Sequence, residues 1–138
     1  MHLEDARQTI TAAMTKMNTL YGQTVFDEWI LVSLRPGRGS ILAYSGPRAD
    51  SYKQQFSTDA RALHQELLGQ KLAAGDFAFA RNATGTQHDA VMCIGDTGYL
   101  FCNNIAKSMD DIRQSPLWLK AQTAFADLSE KFRADPLL

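Results

Sequence analysis

Two stretches of the chain, Ile30-Leu31-Val32 and Ala90-Val91-Met92-Cys93-Ile94, are apolar at every position rather than at every second one. Successive side chains of a strand point to opposite faces, so an uninterrupted apolar strand demands cover on both sides of its sheet. Turn residues bound both runs, and each is too short for a buried helix. The chain must therefore supply helices to two faces of one sheet.

Three segments have the pattern for that role. From Leu3 to Tyr21, the residues Leu3, Ala6, Ile10, Met14, Met17 and Tyr21 recur at three- and four-residue steps, and Gly22 closes the segment. From Asp50 to Gln70 the stripe is Tyr52, Phe56, Ala60, Leu63 and Leu67, with Asp50 as N-cap and Gly69 at the exit. In the third, Ser115-Pro116 reads as an N-cap with proline in the first turn, Trp118, Ala121, Phe125, Leu128 and Phe132 follow in register, and Pro136 ends the helix. Ser108 to Asp111 looks like the capped start of one further short turn.

Strands fill the intervals. Trp29 to Val32 and Ser40 to Tyr44 flank the turn Pro36-Gly37-Arg38-Gly39 and read as an antiparallel hairpin closed by Gly46-Pro47. Asp76 to Arg81, His88 to Ile94 and Tyr99 to Asn103 read as a meander, turned at Asn82 to Gly85 and at Gly95 to Gly98. The order α-β-β-α-β-β-β-α predicts an α/β fold of three layers: a five-stranded antiparallel sheet, the middle helix on one face and the terminal helices on the other. A chain of 138 residues is expected to form one such domain over 1–138.

Charge and composition narrow the partners. Fourteen basic and fifteen acidic residues are scattered along the chain, leaving a net charge of -1 and no footprint for nucleic acid. No apolar run approaches the ~20 residues of a membrane span. The start, with Glu4 and Asp5, resembles neither a signal nor a transit peptide. Two cysteines make no disulfide framework. The expected setting is the cytoplasm, without membrane or nucleic-acid contact.

In this order of elements, and in its short glycine-turned hairpins at Pro36 to Gly39 and Gly95 to Gly98, the chain resembles the roadblock/dynein-light-chain-7 family over Leu3 to Arg133. The resemblance implies a profilin-like three-layer fold and a non-enzymatic dimer that regulates or scaffolds small GTPases, motor complexes or polarity machinery. One stretch departs from the family pattern: Ile105 to Gln114 is longer than a direct strand-to-helix connection. The wider profilin-like group includes sensor domains of the PAS and GAF type, so the alternative is a small-molecule sensor with a ligand between sheet and helix.

Several residue groups invite a chemical reading. Asp96-Thr97-Gly98 matches the aspartic-protease triplet, in which two chains would share a proton between two aspartates. Tyr99 stands where those proteases keep a small residue, and three helices frame a chain that should then be nearly all β; a tight turn explains the triplet. A two-residue loop at Thr97-Gly98 would set Cys93 opposite Cys102, placing two thiols side by side, although buried free cysteines usually serve as small apolar groups. His2, His64 and His88 lie on three elements without metal-ligand spacing. Arg35-Pro36-Gly37-Arg38-Gly39 has glycines and arginines suited to phosphate, but no Walker lysine and no following helix, and reads as a solvated hairpin tip. No catalytic, cofactor or metal site is assigned.

What remains is association. Phe77 and Phe79 share one face of the first meander strand with Arg81, and that strand is an edge of the expected sheet. Core packing accounts for the two phenylalanines; so would a dimer seam that also uses the helix bearing Tyr52 and Phe56. Tyr52, Phe56, Phe77, Phe79 and Arg81 form the candidate surface for a second copy and for an unidentified protein partner. Trp29, Trp118, Phe125 and Phe132 are assigned to the core.

Overall fold

A computed structural model describes residues 1–21, 25–35, 38–46, 50, 63, 65–81, 88–104 and 109–137. Helix α1 (Leu3–Tyr21) leads into strands β1 (Glu28–Arg35) and β2 (Arg38–Ser45). Between β2 and β3 the described helical residues are Asp50, Leu63 and 65–69, and Leu63 with 65–69 is called α2. Strands β3 (Phe77–Arg81), β4 (His88–Cys93) and β5 (Gly98–Asn103) follow, and then helices α3 (Met109–Gln114) and α4 (Pro116–Ala134).

All five strands join one sheet in the order β2-β1-β5-β4-β3, antiparallel throughout. The apolar runs of β1 and β4 occupy interior positions, and β5, buried along its whole length, is the middle strand. Strand alternation divides the core in two. On one face Trp29, Leu31, Ala90, Met92, Leu100 and Cys102 meet Ala6, Ile10, Met14 and Met17 of α1 and Trp118, Phe125, Leu128 and Phe132 of α4. On the other, Ile30, Val32, Leu34, Val91, Tyr99 and Phe101 meet Leu63 and Leu67 of α2. This is the three-layer α/β architecture expected from the sequence. Full burial of one Leu or Phe side chain stabilises the fold by roughly 1.5–3 kcal/mol, so both layers contribute substantially.

Glu4 and Asp5 lie in the first turn of α1, where carboxylates oppose the helix dipole favourably. Pro116 opens α4 as expected, and Ser115 has the extended backbone of an N-cap. Its hydroxyl does something else. The Ser115 Oγ donates to the Ile112 carbonyl at 2.8 Å, closing α3 rather than capping α4. The short helix anticipated at Ser108 to Asp111 is therefore wedged directly against α4, with Ile112 in the core.

The β4–β5 turn departs from the two-residue loop expected at Thr97-Gly98. Ile94 N–H donates to Gly98 O at 2.9 Å, and the ladder runs Cys93↔Tyr99, Met92↔Leu100, Ala90↔Cys102. Relative to the expected pairing this register is displaced by an odd number of residues, which moves one thiol to the other face. Cys102 lies in the α1/α4 layer and Cys93 in the α2 layer. The side-by-side thiol arrangement is overturned, and both cysteines are free and buried.

Candidate functional site: the open edge of the sheet

The sheet has two edges, and they are built differently. In β2 the pairing passes from Leu31↔Ala43 to Val32↔Ile41, so Leu42 is an extra residue and the strand bulges. Such a bulge twists an edge and spoils it as a template for another strand. Strand β3 pairs without interruption, from Phe77↔Met92 to Arg81↔His88. No strand lies beyond it among the described residues.

Two hydrogen bonds set the phase of that edge. Cys93 N–H donates to Asp76 O at 3.0 Å across β4–β3, and Ile94 N–H turns the opposite way, to Gly98 O in β5. In an antiparallel ladder the backbone groups alternate in direction, so Val91 and Asp89 also face β3, and their partners Ala78 and Ala80 face β4. Phe77, Phe79 and Arg81 consequently turn their N–H and C=O groups outward.

The β3 side chains on the α4 face are anchored in an aromatic cluster. Phe77 lies 5.4 Å from Trp118 in a stacked arrangement, and 5.2 Å from Phe125 and 5.6 Å from Phe79 edge-on. Phe79 meets Trp118 at 5.5 Å, and the Arg113 guanidinium sits 4.9 Å above the Phe79 ring. Phe26 completes the group beneath, 5.3 Å from Phe125 and 6.3 Å from Trp118. Both β3 phenylalanines are half-buried: their rings belong to the core while their backbone lies on the rim. Arg113 comes from α3, in the stretch between β5 and α4.

Of the five residues singled out in the sequence, Phe77 and Phe79 are brought together here, and the Arg81 backbone continues the same strand. The Arg81 side chain, Tyr52 and Phe56 lie outside the described residues. The side chains of Arg35, Arg38, His64 and His88 do so as well, and His2 is exposed beside α1. Trp29, Trp118, Phe125 and Phe132 are in the core as expected. Asp96 is exposed at the β4–β5 turn, and the Thr97 carbonyl accepts a 2.7 Å hydrogen bond from Leu34 N–H, as befits a turn that ties two strands together.

A polar row escaped the sequence reading. Glu28 on β1 stands directly across from Asn103 on β5, Asn103 Nδ2 donates to Asp89 Oδ1 on β4 at 3.3 Å, and all three residues are buried. Next to them Asn104 Nδ2 donates to Val25 O at 3.1 Å, pinning the entry to β1. The available signal was polar residues inside strands whose neighbours demand cover on both faces.

An open cavity of about 990 Å³ surrounds the other end of the sheet. Its walls include Leu42 and Leu137, which pack on the α1/α4 layer, and Leu72 and Cys93, which belong to the α2 layer. It wraps around the sheet end instead of lying between the sheet and one helix. Burial raises the Cys93 thiol above its ordinary value and the Cys102 thiol well above it, with the Asp89 carboxylate adding to the latter. Neither is poised as a thiolate nucleophile. Among the described residues no group of three His, Cys, Asp or Glu could hold a metal ion, and no helix is long and apolar enough to cross a membrane.

No protein-family model matches the chain, and no curated protein matches its sequence. Among solved structures it is similar to Myxococcus xanthus MglB, with a TM-score of 0.46 and 13% identity over 92% of this chain and 90% of that one.

Proposed function

We propose that this chain is a non-enzymatic protein-interaction module that forms a homodimer through β3 and presents a composite surface to a protein partner. The observation that carries the reading is the contrast between the edges: β2 is bulged, whereas β3 is regular and, on an aromatic footing, turns outward backbone groups that meet no further strand among the described residues. An unblunted edge is a ready template for a second strand, and a second copy of the same strand offers the complementary groups. Resemblance of element order to the roadblock family makes a signalling complex built on a small GTPase the partner class to test. The sensor alternative is not favoured, because the cavity draws its walls from both layers.

Light scattering tests the dimer. The expected result is a mass about twice the 15.3 kDa chain; a monodisperse monomer at micromolar concentration overturns the reading. Arg81→Pro separates the edge from the fold, since the N–H it removes points outward and proline is tolerated at such positions. It should weaken the dimer at least about tenfold, equivalent to ~1.4 kcal/mol, while the circular dichroism spectrum stays the same. Affinity capture with and without GTP then tests the partner class, for which nucleotide-dependent retention of a GTPase is the supporting outcome.

A further inference from the structure

We infer that Asp135 to Leu137 form a strap that closes part of the sheet-end cavity and opens as a unit, while α4 and the β4–β5 turn on either side of it stay folded. These three residues stand together in the wall of that cavity, which Leu42, Leu72 and Cys93 also line. Few bonds hold them there. Leu137 N–H donates to Ile94 O at 2.5 Å, and the half-buried Leu137 side chain packs on the α1/α4 layer. Nearer α4, the Met1 nitrogen donates to Asp135 Oδ1 at 2.6 Å and to Pro136 O at 2.8 Å. Asp135 is exposed, and Pro136 has no N–H to donate.

The elements that the strap joins are complete without it. Asp135 leaves helical geometry, at φ −144° and ψ 78°, yet its N–H still donates to Lys131 O at 3.0 Å, so α4 is closed ahead of Pro136 and Leu137. On the other side, the β4–β5 turn is closed by Ile94 N–H on Gly98 O at 2.9 Å and tied to β1 by Leu34 N–H on Thr97 O at 2.7 Å. Neither of those bonds uses the strap. Segments held by few buried contacts open at a lower free energy than the fold as a whole. The hinge therefore falls between the Asp135 N–H and the Leu137 N–H.

The seat is tight where it matters. A Cβ on Gly95 would come within 2.5 Å of the Leu137 carbonyl oxygen, so only a residue without a side chain lets the strap lie down. Opening frees the Ile94 carbonyl, uncovers Gly95 and widens the cavity toward Cys93, whose thiol donates to Gly95 O at 3.1 Å. The strap thus sets how far a solute reaches into the end of the sheet.

Hydrogen exchange in the full chain, followed by NMR, reads the opening residue by residue. The Leu137 amide should exchange at a rate that low urea leaves unchanged, the mark of a local opening, whereas the Leu100 amide of the middle strand should exchange faster as urea is added. Leu137→Ala removes most of the side-chain anchor without touching the turn. It should speed exchange at position 137 by about tenfold while the Ile94 and Leu34 amides keep their protection. In the same variant a small thiol reagent should modify Cys93 about tenfold faster and leave Cys102, in the other layer, unchanged. Gly95→Ala, which crowds the Leu137 carbonyl, should move both readouts in the same direction. A urea dependence at Leu137 that matches Leu100 would mean that the strap opens only with the whole fold, and overturns the inference. Loss of protection at Ile94 and Leu34 together with position 137 in Leu137→Ala does the same, because strap and turn would then be one unit. An unchanged rate at Cys93 in both variants overturns the closure of the cavity.

Discussion

Replacing Phe77 by alanine separates the two roles its position suggests, because a ring that is core and a ring that is only seam respond differently. Phe77 touches Phe79, Trp118 and Phe125 at 5.2 to 5.6 Å between ring centres. Aromatic pairs are worth about 0.5–1.5 kcal/mol each beyond area burial. Taking the low end, because contacts in one cluster are not additive, the three pairs contribute about 1.5 kcal/mol. The ring is half-buried, and losing that burial costs a further ~1.5 kcal/mol, below the 3–5 kcal/mol seen for fully buried phenylalanine. The expected loss is about 3 kcal/mol. Unfolding entropy of about 2.1 cal/mol/K per residue over 138 residues converts that into a fall in Tm of roughly 10 °C. Urea unfolding followed by circular dichroism, at one fixed protein concentration, should show a lower midpoint at unchanged slope. A loss below about 1 kcal/mol, or a loss that disappears on dilution to the monomer, would refute a core role. The same geometry shows that a charged residue at Phe79 is a poor interface probe: it would break the cluster before it tested the seam.

Two other perturbations follow from the buried polar and sulfur groups. Cys93, Cys102 and Tyr99 all hold their protons more tightly in the fold, chiefly through burial. Unfolded thiols ionise from about pH 8.5; above that the native state binds more protons than the unfolded one, so stability should fall as pH rises. Melting curves from pH 7 to 10 should show this decline, and Cys102→Ala should make it shallower; an unchanged slope in that variant would rule out the thiol as a source. Asn103→Ala removes the 3.3 Å donor to the buried Asp89 carboxylate and should cost about 1–3 kcal/mol in urea unfolding, whereas a loss under about 0.5 kcal/mol would mean that the row does not stabilise the sheet.

What could be read from the chain was whatever depends on local periodicity. The stripe of Ala6, Ile10, Met14 and Met17, the proline at the start of α4, and the unbroken apolar runs of β1 and β4 each state their environment within a few residues, and the layers follow from them. The β3 edge was legible for the same reason: an antiparallel meander leaves its first strand outermost unless another element intervenes. The Cys93–Cys102 pairing failed because turn register is not local here. Gly95 sits where a Cβ would come within 2.5 Å of the Leu137 carbonyl, and Leu137 N–H donates to Ile94 O at 2.5 Å. The chain's last residues therefore pack against the turn, and glycine is needed at Gly95 for their approach rather than for a two-residue hairpin. Ser115 holds the N-cap position of α4 as expected, but its hydroxyl donates to the nearer carbonyl of Ile112 and makes no side-chain cap to the N–H groups ahead of it. The candidate site lies between these cases. Phe77 and Phe79 could be seen as either core or seam; the structure holds their rings inward against Trp118 and Phe125, and the hydrogen-bond phase of β3 turns the backbone of the same residues outward, where the proposed seam would form.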